Sequence, residues 1–218
     1  MKSYKVVAFD LDGTLTNPER GLVEAFVYAF RRLGIFDGDR EALKRYIGPP
    51  LYEEWQRDFG WSFEEASAAV EIFREYYNVY GWWDNEVYPG IEDMLRQLSE
   101  SGKILVVATS KPEQTAKRVL ALFGLDKYFD CIAGASMNGT ADGKSQILSR
   151  ALRSVGVADA DECILVGDRK YDAEGAAQVG CDSIGVLWGH GSREELEAAG
   201  FTVLAASPEE IVSKFKEI

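Results

Sequence analysis

The sequence predicts an α/β fold in which helices flank a parallel β-sheet and a separate α-helical segment is inserted near the start of the chain. Two observations support this prediction. Apolar runs of strand length alternate with helical patterns over most of the 218 residues. In the long stretch from residue 16 to residue 85, by contrast, no comparable strand occurs and apolar residues recur at helical spacing.

Strands are predicted where several apolar residues stand together between turn residues. The clearest runs cover residues 6–9, 104–108 and 163–167, and shorter ones cover residues 131–133, residues 183–187 and the region around Val203. Because helical patterns separate these runs, we expect a parallel sheet that is covered on both faces.

Helices are predicted where apolar residues recur at intervals of three and four. Between the strands the patterns are Ile91, Met94, Leu95 and Leu98 before Gly102; Ala116, Val119, Leu120 and Phe123 before Gly124; and Ile211, Val212 and Phe215 after Ser207 and Pro208. In the insert they are Leu22, Ala25, Phe26 and Ala29, and then Val70, Phe73 and Tyr77. We therefore predict a core made of residues 1–15 and 86–218 and a helical insert made of residues 16–85.

Composition and charge exclude several classes of partner. A formal net charge of -12 argues against nucleic-acid binding, which relies on a basic surface. No early apolar segment has the length of a signal peptide or a membrane span, so we expect no membrane partner. Cys131, Cys163 and Cys181 lack a metal-binding or redox spacing, which favours free thiols and a cytoplasmic location. We expect a monomer or a homodimer.

Two carboxylates, Asp10 and Asp12, follow directly after the first predicted strand. If the strand continued they would project to the same side, and Gly13 then lets the backbone turn. Ionised carboxylates at the end of an apolar strand are costly unless a cation or hydrogen bonds compensate them. We interpret them as a nucleophile and a general acid/base with a divalent cation, for which Mg²⁺ is the best candidate. A simple turn capped by one aspartate remains the alternative.

Other polar residues stand at later strand ends. Thr109 and Ser110 follow residues 104–108, and Asp168 follows residues 163–167, with Asp172 four positions further on. Residues at the carboxyl ends of parallel strands meet at one edge of the sheet, so we expect these side chains to converge. Structural alternatives exist, since Asp168 and Asp172 can also serve a helix N-terminus.

Ser110 and Glu113 also form the pattern of a capping box, with Pro112 inside the first helical turn. We therefore predict a helix that begins at Ser110. Lys144 precedes another helical pattern, and a lone lysine at such a place is often a solvated surface residue. His190, the only histidine, is predicted to have a loop role because Asp12 already supplies an acid/base group.

The ordered motifs resemble those of the haloacid dehalogenase superfamily of phosphohydrolases. In chain order the matching positions are residues 10–14, Thr109, Lys144 and residues 167–172. The insert resembles the helical cap of the phosphoglycolate phosphatase-like branch, as do residues 47–51 and 185–191. The resemblance implies a Rossmann-like core and a phosphatase.

The resemblance implies a role for each motif residue. It makes Asp10 the nucleophile that forms an aspartyl-phosphate, and Asp12 the acid that protonates the leaving oxygen and then activates water. Thr109, with Ser110 beside it, would bind the phosphoryl group, and Lys144 would offset its charge.

The resemblance also implies a metal site. Mg²⁺ would be held by Asp10, by the backbone carbonyl of Asp12 and by Asp168. Asp172 would support it directly or through water. The donor set is all oxygen, which suits this cation.

The expected substrate is a small soluble phosphate ester, with phosphoglycolate and a nucleoside monophosphate as candidates by resemblance. A phosphomutase of the same superfamily is the first alternative, and a signalling receiver that only accepts phosphate is an alternative from another class. Within the cap, Arg45 is our candidate to meet an anionic leaving group, because arginine binds carboxylate or phosphate through two donors. An exposed arginine at a helix end is its structural alternative.

Overall fold

The computed structural model describes residues 3–136 and 143–216. Its strands are β1 (Val6–Phe9), β2 (Thr16–Asn17), β3 (Glu86–Val87), β4 (Ile104–Pro112), β5 (Cys131–Ala135), β6 (Cys163–Gly167), β7 (Asp182–Val186) and β8 (Val203–Ala205). Its α-helices are α1 (Glu19–Leu33), α2 (Leu51–Phe59), α3 (Phe63–Tyr76), α4 (Ile91–Glu100), α5 (Glu113–Leu122), α6 (Lys144–Ser154), α7 (Lys170–Val179), α8 (Arg193–Ala199) and α9 (Pro208–Lys216).

Six of the strands form one parallel sheet in the order β5-β4-β1-β6-β7-β8. All four residues of β1 are fully buried, so both faces of the sheet are covered at this central strand. The α/β fold class predicted from the sequence is confirmed. The chain leaves β1 for β4 on one side and later returns to β6 on the other, which places the topological switch point of the sheet beside β1.

The chain divides into two compact units. The first unit comprises Met1–Thr16 and Val87–Ile218, and the second unit comprises Asn17–Glu86. The first unit contains the six-stranded sheet and helices α4 to α9. The second unit contains α1, α2 and α3 and a π-helical turn at Tyr77–Gly81.

The second unit is built around an aromatic cluster. Trp55 of α2 is fully buried and lies against Phe26, Phe30 and Phe73 of the neighbouring helices. Close backbone approach also shapes this unit, since a Cβ atom at Gly21 would lie 2.1 Å from the carbonyl oxygen of Gly81. Large aromatic area and a tight glycine contact together hold the three helices in one packing arrangement.

In the first unit most of the predicted elements are found, with one correction. Helix α4 buries Ile91, Met94, Leu95 and Leu98, as their spacing predicts. The capping box predicted at Ser110 is wrong. Strand β4 pairs with β5 as far as Pro112, and α5 begins only at Glu113 without a side-chain cap. Pairing with a neighbouring strand overrides the local helix-start pattern here.

Candidate active site

The predicted site residues of the first unit lie at the carboxyl ends of three adjacent strands. Asp10 directly follows β1, Thr109 lies in the last part of β4, and Asp168 directly follows β6. Phe9 at the end of β1 pairs with Val107 of β4 and with Val166 of β6, so the three strands end side by side. The backbone N–H of Asp10 donates to the carbonyl of Val166 at 2.9 Å and fixes the nucleophile candidate beside β6.

Lys144, the first residue of α6, links two of the acids. Its buried ammonium lies 3.0 Å from Asp10 Oδ2 and 2.7 Å from Asp172 Oδ1, and it donates to the carbonyl of Ala108 at 3.0 Å. Burial lowers the pKa of Lys144, but the charges of Asp10 and Asp172 outweigh this effect and raise it overall. The three donors of the ammonium are thus used by two carboxylates and a backbone carbonyl. Lys144 is a buried counter-ion and not a solvated surface lysine.

Asp168 is fully buried and held by two hydrogen bonds. The hydroxyl of Thr14 donates to Oδ1 at 3.2 Å, and the backbone N–H of His190 donates to Oδ2 at 2.8 Å. Burial raises the pKa of Asp168 well above its usual value, and the nearby charges of Asp172 and Asp10 raise it further. His190 therefore serves the site through its backbone, in agreement with the predicted loop role.

Glycines make the space that Asp168 occupies. Gly13 has a φ of +83°, which favours glycine, and a Cβ atom on it would lie 2.1 Å from Asp168 Oδ2. A Cβ atom on Gly189 would lie 2.3 Å from Asp168 Cβ, and one on Gly191 would lie 2.1 Å from the carbonyl oxygen of Asp168. The resemblance at residues 185–191 thus corresponds to a backbone loop that closes around this acid.

Asp172 lies in the first turn of α7 and is also almost fully buried. It accepts a hydrogen bond from the backbone N–H of Arg169 at 3.1 Å in addition to its contact with Lys144. Burial raises the pKa of Asp172 to about 6, although the positive charge of Lys144 opposes this shift. Gly167 gives this side chain room, since a Cβ atom there would lie 2.2 Å from Asp172 Cγ.

The three acids form a cluster that fits a divalent cation. One carboxylate oxygen from each of Asp10, Asp168 and Asp172 lies within 4.8 Å of the others, and all three residues are buried. Three carboxylates and the single ammonium of Lys144 leave two negative charges uncompensated. Buried oxygen ligands with this excess charge could hold a metal ion of the hard, divalent type.

Asp12 has a buried partner that the sequence did not indicate. The ammonium of Lys111 lies 2.6 Å from Asp12 Oδ2, and the Lys111 side chain is only 3% exposed. Among the described residues, the other oxygen of Asp12, Oδ1, is buried without a hydrogen-bond partner. The predicted helix start at Ser110 hid this residue, because it assigned Lys111 to a helix and not to the irregular end of β4.

Thr109 and Ser110 differ in their surroundings. Thr109 is 2% exposed, and its hydroxyl oxygen accepts a hydrogen bond from the backbone N–H of Lys111 at 3.2 Å. Ser110 is half-buried and Lys111 is buried. The pairing of β4 with β5 is irregular between Thr109 and Pro112, so the observed link between Thr109 and Lys111 is this hydrogen bond.

Arg45 lies in the second unit, in a short 3-10 turn at Ala42–Tyr46. Its guanidinium lies 3.1 Å from Asp58 Oδ2, donates to the hydroxyl of Tyr46 at 2.7 Å and packs over the Tyr46 ring. The side chain is 60% exposed. These contacts give Arg45 a structural partner inside its own unit.

Comparison with known proteins identifies the family. A family model described as haloacid dehalogenase-like hydrolase matches residues 4–180. The chain belongs to this family of hydrolases. The membership predicted from the four motifs is confirmed, and with it the assignment of the protein as a phosphoric monoester hydrolase.

Individual relatives agree with this assignment. A Pseudomonas aeruginosa protein named 5'-nucleotidase is 39% identical over 195 residues, which cover 89% of this chain and 88% of that one. A Vibrio parahaemolyticus phosphoglycolate phosphatase is 27% identical over 97% of this chain and 96% of its own length. The crystal structure of a predicted phosphatase from Clostridium acetobutylicum has a TM-score of 0.95 at 38% identity, covering 99% of this chain and all of that one. No helix in the described part of the chain is long and apolar enough to cross a membrane.

Proposed function

We propose that this protein is a Mg²⁺-dependent phosphatase that hydrolyses a small phosphate monoester through an aspartyl-phosphate intermediate on Asp10. The observation that carries the proposal is the buried cluster of Asp10, Asp168 and Asp172, bridged on one side by Lys144. A packing role does not require three buried acids beside a single ammonium, because such a group is costly without a cation. A phosphatase of the proposed type, with an aspartate nucleophile and a divalent cation, requires both the cation and the acids.

In the first step a carboxylate oxygen of Asp10 attacks the phosphorus atom. The bond from phosphorus to the ester oxygen breaks, and that oxygen takes a proton from Asp12 and leaves as an alcohol. The Asp10 carboxylate is held for this attack, since Oδ1 accepts from the backbone N–H of Leu11 at 2.7 Å and Oδ2 lies against Lys144. For this step Asp12 must enter as the protonated carboxyl group, and its Oδ1 is not engaged by any described residue.

In the second step water attacks the same phosphorus atom and gives up a proton to Asp12. The bond between phosphorus and Asp10 breaks, which restores the carboxylate and releases inorganic phosphate. One residue thus acts first as an acid and then as a base, as two successive displacements at phosphorus require.

Charge on the phosphoryl group is offset by groups fixed before the reaction. Thr109 would donate to a phosphoryl oxygen, with Ser110 as a second candidate, and Lys144 would compensate negative charge on the Asp10 side. Asp10, Asp168 and the backbone carbonyl of Asp12 would hold Mg²⁺, with Asp172 in support. A bound Mg²⁺ supplies Lewis-acid stabilisation of the transferring phosphoryl group.

The substrate is proposed to be a small soluble ester in the cytoplasm. The three cysteines are free thiols, which supports a reducing compartment. Relatives named 5'-nucleotidase and phosphoglycolate phosphatase make a nucleoside 5'-monophosphate and phosphoglycolate the first esters to assay. The groups assigned above bind only the phosphoryl end, so other residues must select between these esters.

The test is release of inorganic phosphate from a panel of phosphate esters, with Mg²⁺ and with excess chelator. We expect turnover only with the cation. Asp10→Asn should abolish turnover in a folded protein, whereas Asp126→Asn, which removes an exposed carboxylate of the same unit, should leave it unchanged. Full activity in chelator, or in Asp10→Asn, would refute the mechanism. An isomerised sugar phosphate without released phosphate would instead establish a phosphomutase.

A further inference from the structure

Lys111 is a buried cation at the proposed site that none of the four family-like motifs includes. It stands in the last part of β4, where its backbone N–H donates to the hydroxyl oxygen of Thr109, and it is 7% exposed as a whole residue. Its ammonium lies 2.6 Å from Asp12 Oδ2. Burying a lysine and a carboxylate together is weak for stability compared with packing apolar side chains of the same size. A structural purpose alone therefore accounts poorly for this pair.

The position of the pair relates Lys111 to the leaving group of the substrate. Under the proposed function, on which this inference rests, the ester oxygen meets Asp12. Oδ2 is occupied by Lys111, and Oδ1 is buried with no partner among the described residues. The ester oxygen therefore meets a carboxylate whose other oxygen already contacts an ammonium. Substituents one or two bonds beyond the ester oxygen lie near that ammonium.

The other buried lysine of the site cannot serve the leaving group. Lys144 directs its donors to Asp10, Asp172 and the carbonyl of Ala108, on the nucleophile side. Arg169 is engaged with Glu195 at 2.8 Å. The chain as a whole carries a net charge of -12, so an anionic substrate needs a local cation to overcome the average repulsion. Of these three cations, Lys111 is the one that contacts Asp12, the proposed general acid/base.

We infer that Lys111 selects phosphate esters whose leaving group carries a second negative charge close to the ester oxygen, either a carboxylate or a phosphate. It contacts the leaving group while keeping Asp12 in place. Because its ammonium contacts Asp12, its effect is expected mainly on the leaving group. Esters with a neutral leaving group gain no such contact.

The experiment compares kcat/KM of the wild type, Lys111→Met and Lys111→Arg on three probes. Phosphoglycolate carries a carboxylate, pyrophosphate carries a second phosphate, and propyl phosphate has a neutral leaving group. We expect Lys111→Met to lose about 10- to 100-fold more kcat/KM on one or both anionic probes than on propyl phosphate, mainly through KM. The anionic probe whose kcat/KM falls further, relative to the fall on propyl phosphate, identifies the anion that Lys111 binds. Lys111→Arg should recover much of that preference because it keeps the charge.

A second variant separates charge from positioning. Lys111→Gln retains a hydrogen-bond donor for Asp12 but has no charge, so it should lose the preference for anionic probes as Lys111→Met does. Equal losses on all three probes, in kcat, would show that Lys111 only positions Asp12 and would overturn the inference while the phosphatase stands. Absence of phosphate release by the wild type from every ester would overturn the proposed function itself.

Discussion

Replacement of Lys144 by methionine tests whether the acid cluster depends on one buried cation. Methionine keeps most of the apolar stem of lysine but has no ammonium. Lys144 lies 3.0 Å from Asp10 and 2.7 Å from Asp172, and its side chain is only 5% exposed. After the replacement three buried carboxylates face one another without a counter-ion, and the carbonyl of Ala108 loses its side-chain donor.

The expected cost follows from this geometry. Removal of one partner from a buried ion pair lowers the free energy of unfolding by about 3 to 5 kcal/mol, because the remaining charge stays uncompensated. Two carboxylates lose their partner at Lys144, so we expect a value in the upper part of this range for the protein in chelator. With saturating Mg²⁺ the loss should be clearly smaller, because the cation compensates the same acids.

The measurement is urea unfolding in chelator, followed by far-ultraviolet circular dichroism. Tryptophan fluorescence alone is unsuitable, since of Trp55, Trp61, Trp82, Trp83 and Trp188 only the last belongs to the first unit. The matched control is Lys117→Met, which breaks an exposed pair with Glu113 on α5. Its expected cost is about 0.3 to 0.5 kcal/mol.

A double variant completes the test. Lys144→Met combined with Asp172→Asn removes one charge of each sign, so it should be more stable in chelator than the sum of the two single losses predicts. If Lys144→Met lowers the free energy of unfolding in chelator no more than Lys117→Met does, the Lys144 ammonium does not compensate the acids and the reasoning is wrong.

Three further predictions concern the acid, the metal and the second unit. Asp12→Asn should reduce turnover far more for alkyl than for aryl phosphates, because an alkyl oxygen is the poorer leaving group and depends more on protonation. Equal reductions on both kinds of ester would contradict the role of Asp12 as the general acid. Burial raises the pKa of Asp172 to about 6 and also raises the pKa of Asp168, and metal binding requires both groups as carboxylates. Thermal-shift titrations should therefore show weaker Mg²⁺ binding as the pH falls below about 6. An unchanged Mg²⁺ affinity would contradict the assignment of these acids as metal ligands. Gly21→Ala places a Cβ atom 2.1 Å from the Gly81 carbonyl oxygen. This substitution should lower the free energy of unfolding by about 1 to 3 kcal/mol in urea titrations. A change below about 0.5 kcal/mol would mean that the two backbone segments move apart at little cost.

The parallel sheet and the convergence of its strand ends follow from the sequence for a physical reason. A strand that is buried on both faces must be apolar throughout, so residues 6–9 and 163–167 are distinct in the sequence itself. The polar residue that ends such a run then marks the edge where ligands bind. Asp10 and Asp168 are found this way without any knowledge of their neighbours.

Lys111 shows where this reasoning stops. The pattern of Ser110 and Glu113 is a sound local signal for a helix start, but pairing of Pro112 with Ala135 of β5 decides the backbone instead. That pairing joins residues 23 positions apart and cannot be seen in a short window. When the predicted strand ends before Ser110, Lys111 is assigned to a helix and its place in β4 is missed.

The partners of Arg45 were hidden for a similar reason. Its contact with Asp58 depends on how the turn at Ala42–Tyr46 packs against α2, which the sequence does not specify. The same holds for the glycines around Asp168. Their spacing suggests turns, but only the folded chain shows that Gly13 and Gly189 approach one carboxylate from different loops.

The order of strands in the sheet has a consequence for synthesis on the ribosome. Val6 of β1 pairs with Ile104 on one side and with Cys163 on the other. The two partners of this central strand are therefore synthesised 98 and 157 residues after it. At typical elongation rates the second partner appears about 10 to 30 s after β1. Until β4 is made, this apolar strand has no partner, and until β6 is made one of its two edges stays unpaired although the strand ends fully buried. The nascent chain is therefore expected to expose one edge of β1 until β6 emerges, and protease protection of stalled chains would show when that exposure ends.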